Sequence, residues 1–419
     1  MKKKKKIILI SIIVFILVFI FGYNIYRNVE VNPEVKSEFV HAIGDKVYDG
    51  NEQELIFRGT NIGNWLVPEG WMGITEINGQ NDDVEGEKLT YNKLIAALKR
   101  NPLVDNDKIE DLLKIYYDNF FTKEDMLFLK ESGLNTIRLP FIYSNLYDEN
   151  DNLKTNAYHY LDQVIEWCNE LDMYVILDCH GASTTQNQEH HSGDDSVSTI
   201  FDDEVEQAKT INMWVEIAKR YKDVKCIAGY GLLNEPRGNG ETTKNKHFRF
   251  VEKIYDAIRE VDTNHMLIIG ACWSFINIKN PVYYGFENVL YEFHLYTFNM
   301  QWAGIGFYLN LIELTYKICS YRNVPVYIGE FALGDSYEDL KFFINFLEER
   351  DRGWTSWTYK TNNMGNWAML NTLKPRINVE TASYDEIASA WADVRTNFGY
   401  TTDAYKNLMK VLEDLDSTK

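Results

Sequence analysis

The chain has 419 residues, 45% hydrophobic and 14% aromatic, enough to bury a large core and unlike a disordered or low-complexity chain. It carries 62 acidic against 43 basic residues, a formal charge of -19, and the first 30 residues hold six of the basic ones but only Glu30 of the acidic ones. A body this acidic repels phosphate backbones and anionic lipid, which argues against nucleic acid and membrane-surface partners and leaves neutral or cationic substrates.

Lys2 to Lys6 form an unbroken cationic run, followed by an apolar stretch from Ile7 to Tyr26 broken by Ser11, Gly22 and Asn24. A helix of that length, at about 1.5 Å per residue, crosses roughly 30 Å of hydrocarbon. The first alanine is Ala42, so an A-x-A cleavage site cannot be written before it. Five Lys before the span against Arg27 after it place the amino terminus in the cytoplasm. Residues 1–27 are therefore expected to be a transmembrane signal anchor, 28–39 a linker, and 40–419 one domain outside the cell membrane; secretion after cleavage is the alternative.

Eight short apolar runs then alternate with helical patterns: Leu55 to Asn61, Thr136 to Phe141, Tyr174 to His180, Ile227 to Asn234, Met266 to Trp273, Val289 to Tyr296, Val324 to Phe331 and Trp354 to Tyr359. Apolar residues at three and four spacing predict helices over Lys123 to Ser132, Ala157 to Leu171, Glu204 to Tyr221, Lys246 to Val261, Leu309 to Ser320 and Tyr337 to Arg350. Eight buried strands, each followed by a helix, give a (β/α)8 barrel. The stretch from Gly73 to Phe120 is too long for a simple first connection; with its own helix, Tyr91 to Arg100, it is expected to cap the barrel mouth. Cys168, Cys179, Cys226, Cys272 and Cys319 are widely spaced and odd in number, which implies neither a disulfide framework nor a zinc site.

Active sites of such barrels lie at the C-terminal ends of the strands. The runs end in Arg138, in Asp178 and His180, in Asn234 and Glu235, in His294 and Tyr296, in Glu330 and in Trp357. Two glutamates on different strands supply a proton donor and an anion, the equipment for cleaving a glycosidic bond. Asn234 and Pro236 beside Glu235 suggest a carboxyl held protonated, while Arg138 and Tyr296 are the donors available to keep Glu330 ionised. Asp178, His180, His190 and His191 also allow a metal cluster, and Asp194, Asp195, Asp202 and Asp203 a structural calcium, though no metal or other cofactor is called for.

NEP ending at Pro236, GEF around Glu330, RLP from Arg138, HLY from His294 and a Trp closing the eighth run together resemble glycoside hydrolase family 5, the cellulase family. RGTNIGNWLVPEGW at Arg58 to Trp71, GLNTIRLPF at Gly133 to Phe141 and DCHGASTTQNQEHHSG at Asp178 to Gly193 are similar to its exo-β-1,3-glucanase branch. The resemblance implies a retaining β-glycosidase with Glu235 as general acid/base and Glu330 as nucleophile. It implies that Asn234 donates to the sugar 2-hydroxyl, that Arg138 and Tyr296 orient Glu330, and that His294 neighbours Glu235. It further implies sugar contacts from Glu69 and His180, with Trp357 as stacking floor. The chain differs from that branch at Asn64, where a second glycine is usual, and at Ser183, Thr184 and Thr185. The substrate implied is a β-glucan or its oligosaccharides, attacked from the non-reducing end. An endo-acting β-1,4-glucanase and a non-catalytic, membrane-tethered carbohydrate-binding protein are the alternatives.

Overall fold

The computed structural model describes residues 37–80, 88–237, 241–271, 279–296, 304–332, 337–362, 367–395, 399–400 and 412–413. The expected anchor, most of the linker, Cys272 and Trp273 lie outside the described residues. Among the described residues no helix is long and apolar enough to cross a membrane.

Eight parallel strands close into a barrel: β1 Arg58–Asn61, β2 Thr136–Ile142, β3 Tyr174–Gly181, β4 Ile227–Gly231, β5 Leu267–Gly270, β6 Val289–Tyr296, β7 Val326–Ala332 and β8 Trp354–Ser356. β8 pairs with β1, Trp354 opposite Arg58, which closes the ring. Each predicted run overlaps its strand, three strands (β2, β3 and β7) extend one residue past the end of their run, and β6 coincides with the run from Val289 to Tyr296. The helices are α1 Tyr91–Arg100, α2 Ile109–Phe120, α3 Lys123–Glu131, α4 His159–Leu171, α5 Glu204–Tyr221, α6 Glu241–Arg259, α7 Gly304–Tyr321, α8 Tyr337–Glu348 and α9 Tyr384–Ala392. Local chemistry sets several starts: Thr122 and Asp125 form a capping box on α3, and the Asp203 carboxylate accepts the Val205 and Glu206 N–H groups of α5.

Two apolar layers follow from the pleat. Side chains facing outward from the strands pack under the helices in one large cluster. Inward-facing Ile176, Ala228, Ile268, Leu290 and Tyr327 meet Phe57 and Met266, and Val40 and Val47 join them from an N-terminal hairpin, His41–Ile43 with Lys46–Tyr48. The barrel interior is thus filled below and polar above.

The 73–120 insertion, expected to cap the barrel mouth, packs on loops at the C-terminal ends of the strands: the Asn92 N–H donates to the Gly193 carbonyl and Lys93 pairs with Asp195. Trp65 donates to the Tyr117 carbonyl, the Tyr116 hydroxyl donates to the Asn64 carbonyl, and Tyr91 packs with Val67 and Ile142. On its other side Tyr116 meets Trp391 of α9, and Asn101 donates to the Val379 and Ala382 carbonyls. The amphipathic helices of the insertion therefore bury their apolar faces between the first loop and the C-terminal segment, and buttress that loop from behind.

A side chain at Gly59 has nowhere to go, since a Cβ there lies 2.1 Å from the Thr136 carbonyl oxygen on the neighbouring strand. Gly59→Ala should lower stability by about 1–3 kcal/mol through overpacking, read by thermal unfolding; an unchanged midpoint would show that β1 and β2 separate freely.

Candidate active site

The polar upper half of the barrel is organised by Arg138, which is fully buried. Its Nη1 donates to Asn61 Oδ1 at 2.9 Å and Glu330 Oε1 at 2.8 Å. Its Nη2 donates to Asp178 Oδ1 at 2.9 Å, Asn234 Oδ1 at 2.8 Å and Glu292 Oε1 at 2.8 Å. The planar fork of a guanidinium makes such multiple contacts possible in one plane.

Glu330 enters through an irregularity in β7. The register with β6 shifts between Ile328 and Glu330, leaving Gly329 as the extra residue, so Tyr327 and Glu330 both face inward. A Cβ at Gly329 would lie 2.4 Å from Glu292 Cδ, so only glycine fits. Besides Arg138, Glu330 accepts from the Tyr296 hydroxyl at 2.5 Å. Glu235 follows β4 with φ of 41°, a backbone conformation uncommon for a residue with a side chain. Its Oε1 lies 2.7 Å from His294 Nδ1 and its Oε2 lies 3.2 Å from His191 Nε2. His294 Nδ1 is also 3.3 Å from Glu330 Oε2. One ligand atom from each of Glu235, His294 and Glu330 lies within 4.8 Å of the others.

The carboxyls of the two glutamates are shifted in the directions opposite to those expected from the sequence. Burial raises the Glu235 carboxyl, but the His294 hydrogen bond and the His191 and His294 charges outweigh it and hold it at about 2. Burial raises Glu330, and with the adjacent Glu235 charge it overcomes the pull of His294 and Arg138, leaving the carboxyl above its ordinary value. The resting proton sits on His294, which burial lowers but Glu330, Glu235 and Glu292 raise to about 10.

Glu69 forms the far wall. Asn64 Oδ1 accepts the Glu69 N–H at 2.9 Å, Trp71 Nε1 donates to Glu69 Oε2 at 2.7 Å, and His190 Nε2 is 3.1 Å from the same oxygen. Burial pushes this carboxyl up, yet His190, His191 and Trp71 together bring it below its ordinary value. Glu69 Oε1 and His190 Nδ1 are buried without a hydrogen-bond partner. His180 Nδ1 is held by Asp178 Oδ2 at 2.6 Å, and its ring stacks on Trp357 at 5.5 Å and 9°. Trp357 precedes a cis peptide to Thr358 and backs onto Gly63.

All nine residues singled out from the sequence thus join one network. Asp178, His180, His190 and His191 do not converge as a metal cluster, because Asp178 bonds Arg138 and His180, His190 faces Glu69, and His191 faces Glu235. On the acidic loops, Asp195 pairs with Lys93, Asp202 with Lys246, and Asp203 caps α5. Sequence reasoning missed Glu292, Asn61 and Trp367. Glu292 was within reach, since it shares a strand face with His294 and Tyr296 at a period of two. Trp367, which contacts both Trp71 and Tyr296, arrives from beyond β8 and carries no local signal.

The family description Cellulase (glycosyl hydrolase family 5) matches residues 103–363. A "Beta-xylosidase" of Phanerodontia chrysosporium is 32% identical over 55% of this chain, though the match spans 46% of that relative. "Endoglucanase C" of Acetivibrio thermocellus is 26% identical, covering 59% of this chain and 86% of the relative. A "Probable glucan 1,3-beta-glucosidase A" of Neosartorya fischeri is 25% identical, covering 81% and 89%. Among solved structures, an endogalactoceramidase superposes with a TM-score of 0.60 at 14% identity, covering 89% of this chain and 84% of the other.

Asn64 has φ of 60°, a left-handed conformation that glycine and asparagine accept, so the departure from a second glycine keeps the backbone and adds a side-chain acceptor for the Glu69 N–H. Asn64→Ala should cost about 1–2 kcal/mol in thermal unfolding. Asn64→Gly should fold normally yet raise KM on an aryl β-glycoside, and equal KM values in the two proteins would mean that Asn64 does not hold the Glu69 wall.

Proposed function

Since the chain belongs to the cellulase family, glycosyl hydrolase family 5, we propose that it cleaves β-glucosidic bonds with retention, Glu330 acting as nucleophile and Glu235 as acid/base. The observation that carries this reading is the approach of the two carboxylates, whose oxygens lie within 4.8 Å of each other. Such spacing leaves no room for an attacking water between them and suits a glycosyl enzyme. Glu330, oriented by Arg138 and Tyr296, attacks the anomeric carbon while Glu235 protonates the leaving oxygen. Glu235 then takes a proton from the water that releases the sugar.

An exo-acting β-1,3-glucanase is the preferred finer reading. The unpartnered Glu69 Oε1 and His190 Nδ1 support it, because buried polar groups without partners cost about 1–3 kcal/mol each and sugar hydroxyls relieve that cost. The relative named for glucan 1,3-β-glucosidase covers most of this chain. An endo-acting β-1,4-glucanase is the second reading, favoured by the similarity to an endoglucanase. Chromatography of products from laminarin, lichenan, cellulose and mannan oligomers decides between them: glucose from laminarin fits the first, and mixed internal fragments from β-glucan the second.

Glu330→Gln should abolish turnover. Glu235→Ala should lower it by about 10²–10⁴-fold on poor leaving groups and be partly rescued by azide on activated aryl glycosides. Proton NMR should show the β-anomer first, and an α-anomer would overturn the mechanism.

The Lys2 to Lys6 run and the apolar stretch after it support, as a further part of this proposal, an anchored chain with its catalytic domain outside the cell membrane. Protease added to intact cells should then release activity; a mature chain in the medium beginning after residue 22 would refute the anchor.

A further inference from the structure

Glu292 is a buried carboxylate to which the reaction above gives no task. Its Oε1 accepts from Arg138 Nη2 at 2.8 Å and lies 2.9 Å from His294 Nε2, and its Oε2 accepts from the Tyr327 hydroxyl. The other His294 nitrogen, Nδ1, faces Glu235 Oε1 at 2.7 Å. Both ring nitrogens therefore face carboxylate oxygens. A neutral imidazole carries one N–H and would turn a bare lone pair toward one of them, whereas an imidazolium satisfies both.

We propose that Glu292 is a positioning residue that keeps His294 protonated, so that the Glu292–His294–Glu235 chain, rather than Glu235 alone, stores the proton given to the leaving oxygen. This rests on the assignment of Glu235 and Glu330 made above. As the glycosidic C–O bond breaks, the His294 Nδ1 proton passes through Glu235 to the leaving oxygen, so that His294 ends neutral and Glu235 ends as carboxylate. The C–O bond to Glu330 forms in the same step. The cluster loses one proton and one carboxylate charge together, so its net charge is unchanged. Release reverses this: water gives its proton to Glu235 and back to His294, its oxygen bonds the sugar, and Glu330 leaves as carboxylate.

The groups facing His294 agree. Glu235 comes from the loop after β4 and Glu330 from β7, with Arg138 from β2 and Asp178 and His180 from β3 behind them, and His191 beyond Glu235. The three carboxylates that touch the ring favour its cation, as its raised pKa reflects.

The test is the pH profile of kcat/KM for wild type, Glu292→Gln and Glu292→Asp on phenyl and 2,4-dinitrophenyl β-glucosides. Glu292→Gln should move the basic limb down by about one pH unit or more. It should lower phenyl glucoside turnover about tenfold more than dinitrophenyl glucoside turnover, since only the poor leaving group needs the proton. Glu292→Asp, which keeps the charge, should hold the limb. An unmoved limb with equal losses on both substrates would reduce Glu292 to support for Arg138 and overturn the inference. Should Glu292→Gln not fold, nitrogen NMR of the wild type should show one histidine doubly protonated at about pH 8, and its absence overturns the inference equally. A wild type inactive on both glucosides would instead sink the underlying assignment.

Discussion

Burying a guanidinium costs several kcal/mol unless carboxylates and other acceptors compensate its charge. Arg138 is answered by three carboxylates and two side-chain amides drawn from five other segments of the barrel wall. Burial alone would weaken its proton, but the surrounding carboxylates hold it well above its ordinary value, so it stays a cation. The residues closing β1, β2, β3, β6 and β7 and the loop after β4 are thereby made interdependent. Removing any one acceptor leaves a buried guanidinium N–H without its partner in the same small volume.

The backbone has been shaped to admit this cluster. Gly329 is both the extra residue that turns Glu330 inward and the gap into which the Glu292 carboxyl fits. Asn64 and Glu235 adopt left-handed conformations at loop positions beside the strand ends, where the chain must turn sharply to aim a neighbour or itself into the cavity. The insertion at 73–120 contributes from behind, through Tyr116 and Tyr117, by holding the Asn64–Trp71 loop that carries Glu69.

Charge in the site is set by groups distant in sequence. Glu235 is flanked in the chain by Asn234 and Pro236, and on those neighbours alone a protonated carboxyl follows. In the folded protein its oxygens meet His294 and His191 instead, and the cation of His294 holds it ionised. Glu330 has the donors expected of it, yet full burial and the nearby Glu235 charge push its carboxyl up.

The barrel was legible because strand and helix leave different periods in a sequence, and a strand covered on both faces reads as a continuous apolar run: Val289 to Tyr296 and Glu204 to Tyr221 needed no tertiary information to delimit. Glu235, Glu330 and most of their companions were legible for a related reason, since polar residues ending apolar strands in a closed barrel must converge at one end. Other features had no local signature. The placement of Trp367 beside Tyr296, the pairing of adjacent His190 and His191 with two different glutamates, the buttressing role of the insertion and the location of the resting proton all arise from segments far apart in the chain. Periodicity and strand-end chemistry are properties of short stretches, so the sequence by itself determined the architecture and the identities at the site. Electrostatic balance and contact across loops are properties of distances in space, so only the tertiary structure decided them.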